Sequence, residues 1–71
     1  MIEVDARGFS CPVPVVKTRQ AVEKHPGEII TVLVETVVSK ENVTRFAESK
    51  GYMVEAQAAG DEFSLLLTPG S

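Results

Sequence analysis

Pro12 and Pro14 head an apolar-patterned segment that runs to Pro26-Gly27, and they constrain the fold of this 71-residue chain more than any other feature. Proline is tolerated in the first turn of a helix, where the N–H it lacks has no intrahelical partner, and is disfavoured further in. The pair therefore predicts a helix from about Pro12 to His25, stopped by Pro26-Gly27. Cys11, the only cysteine, falls at the N-cap of that helix. Free N–H groups and the positive end of the helix dipole favour an anion there, and thiolate is the reactive form of cysteine. On local sequence alone, Cys11 reads either as a sulfur nucleophile or carrier, or as a small buried residue near a turn.

At 100° per residue, Pro14, Val15, Thr18, Ala21 and Val22 share the predicted core face of this helix. Val13 and Val16 project away from that face beside Cys11, as a small docking patch or as contacts to a loop. Before the helix, Ile2 to Asp5 alternates apolar and acidic, the pattern of a short half-buried strand. Ala6 to Ser10 reads as a loop in which Gly8 is free to take a positive φ.

Ile29 to Val34 is nearly continuously apolar and β-branched, as an interior strand requires. Glu35 to Val38 reads as a connection. Ser39 is the expected N-cap of a second helix over about Lys40 to Lys50, which Gly51 stops. Tyr52 to Ala58 and Phe63 to Thr68 read as strands around a hairpin turn at Ala59-Gly60-Asp61-Glu62, and Pro69-Gly70-Ser71 as a frayed end.

The predicted order is β1-α1-β2-α2-β3-β4. Right-handed crossovers make the first two strands parallel and place both helices on one face of the sheet. The most apolar strands belong in the middle, which gives a two-layer α/β sandwich with a four-stranded mixed sheet of order 1-2-4-3. The expected core joins Val4, Ile30, Val32, Val34, Val54, Phe63, Leu65 and Leu67 to Val15, Val22, Val43 and Phe46 of the helices. The opposite sheet face, with Thr31, Leu33, Met53, Glu55 and Leu66, suits water, a weak dimer or a neighbouring domain.

An apolar content of 44% and a charged content of 24% describe an ordinary globular domain, here a single one over residues 1–71. A net charge of −3 without a basic cluster argues against direct contact with nucleic acid. One cysteine forms no internal disulfide and, with one histidine, supplies no multi-cysteine metal site. A free thiol fits a reducing compartment, the start turns acidic at once, and no apolar run is long enough to span a bilayer. These features predict a cytoplasmic protein, a monomer or weak dimer without a membrane partner.

The stretch Asp5-Ala6-Arg7-Gly8-Phe9-Ser10-Cys11-Pro12-Val13-Pro14-Val15 resembles the signature of the TusA/SirA-like family of small sulfur carriers, in which Cys-Pro-X-Pro opens a helix. The resemblance extends to Pro26-Gly27-Glu28, the second helix and the closing hairpin. Within the family, Lys40 to Tyr52 resembles the YedF branch, sulfurtransferase-like proteins of selenium metabolism, many of which continue into a DsrE-like domain. Glu35-Thr36-Val37-Val38 departs from the acidic, proline-containing stretch that TusA itself usually has there.

The resemblance implies that Cys11 takes sulfane sulfur from a cysteine desulfurase or rhodanese-like donor, holds it as a persulfide, and passes it to an acceptor protein, in sulfur or selenium metabolism or tRNA thiolation. It implies no cofactor, and a DsrE-like acceptor is one candidate. Helix N–H groups suit a persulfide anion. Arg7 and Arg19 are candidates for added positive charge, Pro12 and Pro14 stiffen the exit from the loop, and Asp5 anchors the loop by backbone hydrogen bonds. His25 is about 14 residues along the helix from Cys11, roughly 20 Å at 1.5 Å per residue, too far for proton transfer. Cys11 is thus expected to act as a sulfurtransferase-like carrier and not as an independent catalyst. The alternative is a non-catalytic interaction or redox-regulatory module.

Overall fold

The apolar run after Glu28 forms the middle of the sheet. In a computed structural model that describes residues 2–9 and 13–70, it is the strand β2, Ile30–Val34. Ile30, Val32 and Val34 are fully buried beneath the helices, while Thr31 and Leu33 on the other face are half-buried. Both faces of this strand carry apolar or β-branched residues, so an interior position is the one that leaves least apolar surface in water.

Around β2 the remaining elements are β1 (Ile2–Asp5), α1 (Val13–Lys24), α2 (Val37–Ser49), β3 (Tyr52–Ala59) and β4 (Glu62–Pro69). The sheet has the order β1-β2-β4-β3, with β1 parallel to β2 and the other pairs antiparallel. This is the architecture expected from the strand patterns. Leu65 and Leu67 of β4 join β2 in the core, with Ala21 from α1, Val43 and Ala47 from α2, and Tyr52 from β3. Val4, Val15, Val22, Val54 and Phe63 pack around them, partly buried. Thr18 is buried in α1 because its hydroxyl donates to the Pro14 carbonyl at 2.9 Å, so no polar atom is stranded.

β2 starts at Ile30 instead of Ile29 and α1 ends at Lys24 instead of His25, and three boundaries differ from the sequence pattern in ways that matter more. The helix α2 begins at Val37, with Thr36 as its N-cap: Thr36 is extended (φ −122°, ψ 154°) and its Oγ1 accepts from the Ser39 N–H at 3.0 Å. Ser39 is the third residue of the helix, within its first turn, and is buried. Val37 and Val38 read locally as strand formers, and the cap overrides that preference. Pro69 and Gly70 are tied down and not frayed, because Pro69 belongs to β4 and the Gly70 N–H donates to the Gly51 carbonyl at 2.8 Å, while Ser71 lies outside the described residues. A Cβ on Gly70 would collide with that carbonyl. The third is the β3–β4 turn, which uses only Gly60 and Asp61, since Ala59 and Glu62 already pair. Gly60 has φ +64° at the first loop position, the requirement of a type II′ hairpin.

No helix among the described residues is long and apolar enough to cross a membrane.

Candidate functional site

Because β1 and β2 are parallel, they end on the same side of the molecule, and α1 and α2 both begin there. β4 runs antiparallel to β2 with Val34 opposite Phe63, so the β3–β4 turn reaches that end too. The loop after β1, the first turn of α2 and the hairpin therefore share one end, the side where open α/β sheets offer a crevice.

The loop after β1 is organised by Asp5. Its Oδ1 accepts from the Arg7 N–H at 3.1 Å and from Arg7 Nε at 2.9 Å, and its Oδ2 accepts from Arg7 Nη2 at 2.9 Å. Arg7 Nη1 reaches Glu62 Oε1 at 3.1 Å, joining the loop to the start of β4. The Arg7 hydrogen bonds, side chain first and backbone second, pull the Asp5 carboxyl from 3.8 to about 2, and the two carboxylates push the guanidinium pKa up in turn. Two residues that sequence places beside a reactive centre thus neutralise one another. Next, Gly8 takes φ +82°, a region side chains resist, and turns the chain toward α1.

Cys11 and Pro12 lie outside the described residues, so the N-cap reading of Cys11 is not described structurally. They are bracketed in sequence by Phe9, exposed on the loop, and Val13, the first residue of α1. Pro14 is fully buried, whereas Val13 and Val16 are half-buried and outside the core cluster. Arg19 is exposed and forms no ion pair among the described residues. His25 follows the C-terminus of α1, about 18 Å along the helix from Val13 at 1.5 Å per residue, where its Nδ1 meets Glu28 Oε2 at 3.2 Å. A cleft of about 730 Å³ runs between β1 and α1, past Glu3, Asp5, Lys17 and His25, but it is open and mixed in polarity. Among the described residues, no group of three or more His, Cys, Asp or Glu is placed to hold a metal ion.

Two features at this end escape sequence reasoning. Lys17 Nζ sits 4.8 Å from the centre of the Phe9 ring, a cation–π contact that holds the aromatic side chain against α1 while it stays 47% exposed. Val37 and Val38, in the first turn of α2, are 51% and 61% exposed. The topology brings Phe9 and this valine pair to the same end from parts of the sequence that periodicity treats separately. The available signal was the departure from a polar connection after β2.

Residues 2–68 match the family described as Sulfurtransferase TusA. The chain belongs to the TusA family. It is 44% identical over 55 residues to a protein of Methanocaldococcus jannaschii described as a candidate sulfur carrier, covering 76% of this chain and 73% of that one. YrkI of Bacillus subtilis, described in the same way, is 30% identical over 69 residues, 94% of this chain and 92% of its own. The crystal structure of the SirA-like protein from Desulfitobacterium hafniense superposes over the whole of both chains with a TM-score of 0.90 at 31% identity. Membership of the TusA family makes this chain a candidate sulfur carrier.

Proposed function

We propose that the chain carries sulfane sulfur on Cys11 and relays it between a donor enzyme and an acceptor protein. The observation that carries this reading is the Cys11-Pro12-Val13-Pro14 sequence motif in a chain that the TusA family matches over residues 2–68. The Cys11 thiolate attacks the outer sulfur of a donor persulfide. A new S–S bond forms to Cys11, the donor S–S bond breaks, and its electron pair leaves with the donor thiolate, which takes up a proton. Transfer to the acceptor repeats the exchange with Cys11 as leaving group. No external oxidant is needed, and each step is thiol–disulfide exchange in form.

Asp5, Arg7 and Gly8 act in this reading as positioning residues that fix where the loop leaves the sheet. Pro12 and Pro14 lower the ordering cost of docking. Phe9, Val13, Val16, Val37 and Val38 offer the apolar surface a partner protein reads. Such patches, rimmed by polar groups, mark interaction sites. A cysteine desulfurase or rhodanese-like donor and a DsrE-like acceptor are the partner classes this chemistry takes. Selenium is the alternative cargo that the YedF-like stretch Lys40 to Tyr52 suggests.

Whole-protein mass spectrometry after incubation with a cysteine desulfurase and free cysteine tests the proposal. The expected result is a gain of one sulfur atom, removed by reductant and absent in Cys11→Ser. No gain under conditions that load a known carrier overturns it in favour of an interaction module.

A further inference from the structure

The two edges of the sheet are built differently. The β1 edge is four residues long and carries Glu3 and Asp5, the short, charged design that discourages strand addition. The β3 edge is eight residues long, Tyr52–Ala59, and contains neither lysine nor proline. Its pairing with β4 runs one-for-one from Tyr52↔Pro69 to Ala59↔Glu62, without a bulge. Glu55 is the one charged residue on this edge; lysine, proline and a bulge are all missing from it.

The hydrogen-bonding phase of this edge follows from its two ends. Gly70 N–H donates to the Gly51 carbonyl, so Gly51 belongs to the set of residues that bond β4. Alternation then assigns Met53, Glu55 and Gln57 to β4 and leaves the N–H and C=O groups of Tyr52, Val54, Ala56 and Ala58 pointing outward. On the helix side, Ala56 and Ala58 are exposed, because α2 covers only the first half of the strand. The flank of α2 beside Ala56 leaves an open cleft of about 470 Å³ lined by Lys40, Glu41, Thr44, Arg45 and Glu48. None of those four charged side chains forms an ion pair among the described residues.

We infer that the outer edge of β3 pairs antiparallel with the same edge of a second copy of this chain, about a two-fold axis at Ala56. In that register Ala56 bonds its own counterpart, and Val54 bonds Ala58 of the other copy, so every outward group between them is satisfied. On the outer face Glu55 lies opposite Gln57, and Met53, 69% exposed in the single chain, lies opposite Ala59. A shift that centres the axis on Glu55 sets two carboxylates directly opposite one another, which the pairing disfavours. The axis is perpendicular to the sheet, so both copies keep their helices on one face and α2 meets its counterpart. Strands about 4.8 Å apart place helices that lie over β3 and β4 about 10 Å from each other, normal packing distance. The charges lining that cleft are of both signs, so the flanks meet without single-sign repulsion. The contact is isologous and closes at two copies. It leaves β1, α1 and the loop before Cys11 uncovered.

Amide hydrogen exchange by NMR across a concentration series, with sedimentation of the same samples, is the test. The expected result is protection of Val54, Ala56 and Ala58 amides that rises with concentration alongside dimer mass, while Met53, Glu55 and Gln57 stay protected throughout. Ala56→Pro removes an outward donor that β4 does not use, and Ala58→Lys adds an edge charge without touching the core. Each raises the dimer dissociation constant about tenfold or more. Circular dichroism confirms the fold, and Ala58→Lys stands as the test if Ala56→Pro does not fold. Freely exchanging outward amides with monomer mass at every concentration overturn the proposal. So do edge variants that dimerise like the parent, or association that runs past two copies.

Discussion

Arg7 grips the Asp5 carboxylate with two parallel bonds of 2.9 Å, Nε to Oδ1 and Nη2 to Oδ2, although the two residues are only two apart in the chain. That fork closes the exit of β1 into a compact turn, since the Arg7 N–H binds the same carboxylate. The remaining arm of the guanidinium spans 55 residues of sequence to Glu62. One side chain thus ties the stretch before Cys11 to the start of β4, two strands away from β1.

The pair makes a pH prediction. Asp5 titrates near 2 because Arg7 bonds its ionised form, against 3.8 ordinarily. A carboxyl whose pKa is depressed in the folded state stabilises that state above its unfolded value. The contribution is lost as pH falls from about 4 through about 2. Exposure to solvent keeps it small. Carbon-13 carboxyl titration should find the low midpoint, and Arg7→Gln should return it toward the ordinary value. A midpoint indifferent to Arg7→Gln refutes the assignment.

Thr36 caps α2, so Thr36→Ala should cost about 1 kcal/mol in urea unfolding, within the usual 0.5–2 for such caps. Thr36→Ser keeps the accepting oxygen and should restore most of the loss. Equal stability of all three proteins excludes the cap.

How much of this was readable from the chain depends on the range of the interaction. Ile30 to Val34, the turn at Gly60 and the core face Pro14, Thr18 and Ala21 follow from patterns a few residues long, and strand order follows from which strands are apolar on both faces. The start of α2 was misplaced because Val37 and Val38 have strand-like propensity and Ser39 is as good a cap by type as Thr36. The bonds Arg7–Glu62 and Gly51–Gly70 join distant segments and leave no local trace. At the site, Asp5, Gly8 and the motif were legible. The approach of Val37 and Val38 to the same end as Phe9 needed the topology.

Core packing gives a prediction of larger size. Leu65 is fully buried in β4, between Val32 of β2 and Ala56 of β3 in the sheet. Leu65→Ala leaves a cavity that the surrounding side chains only partly fill, at a cost of about 2–5 kcal/mol. In a domain this small that is a large part of the whole stability, and thermal unfolding should show it as a drop of many degrees. Met53→Ala, on the exposed outer face, should stay within about 0.5 kcal/mol of the parent when measured at low concentration.

The last prediction separates the sulfur chemistry from its delivery. Val38 is 61% exposed at the start of α2 and outside the core cluster, so Val38→Asp should leave the fold intact. If partners read the apolar end of the molecule, a carboxylate there desolvates poorly against them and docking weakens. Loading of Cys11 by a small polysulfide needs no docking and should proceed at the parent rate. Transfer from a desulfurase should fall about tenfold in kcat/KM, a loss of about 1.4 kcal/mol carried mostly by KM. Ile29→Asp, at a less exposed apolar position (39%) just before β2 and away from this end, should change neither rate in folded protein. If Val38→Asp and Ile29→Asp behave alike with the desulfurase, the first turn of α2 is not where that partner binds. Docking then falls to Phe9, Val13 and Val16 alone.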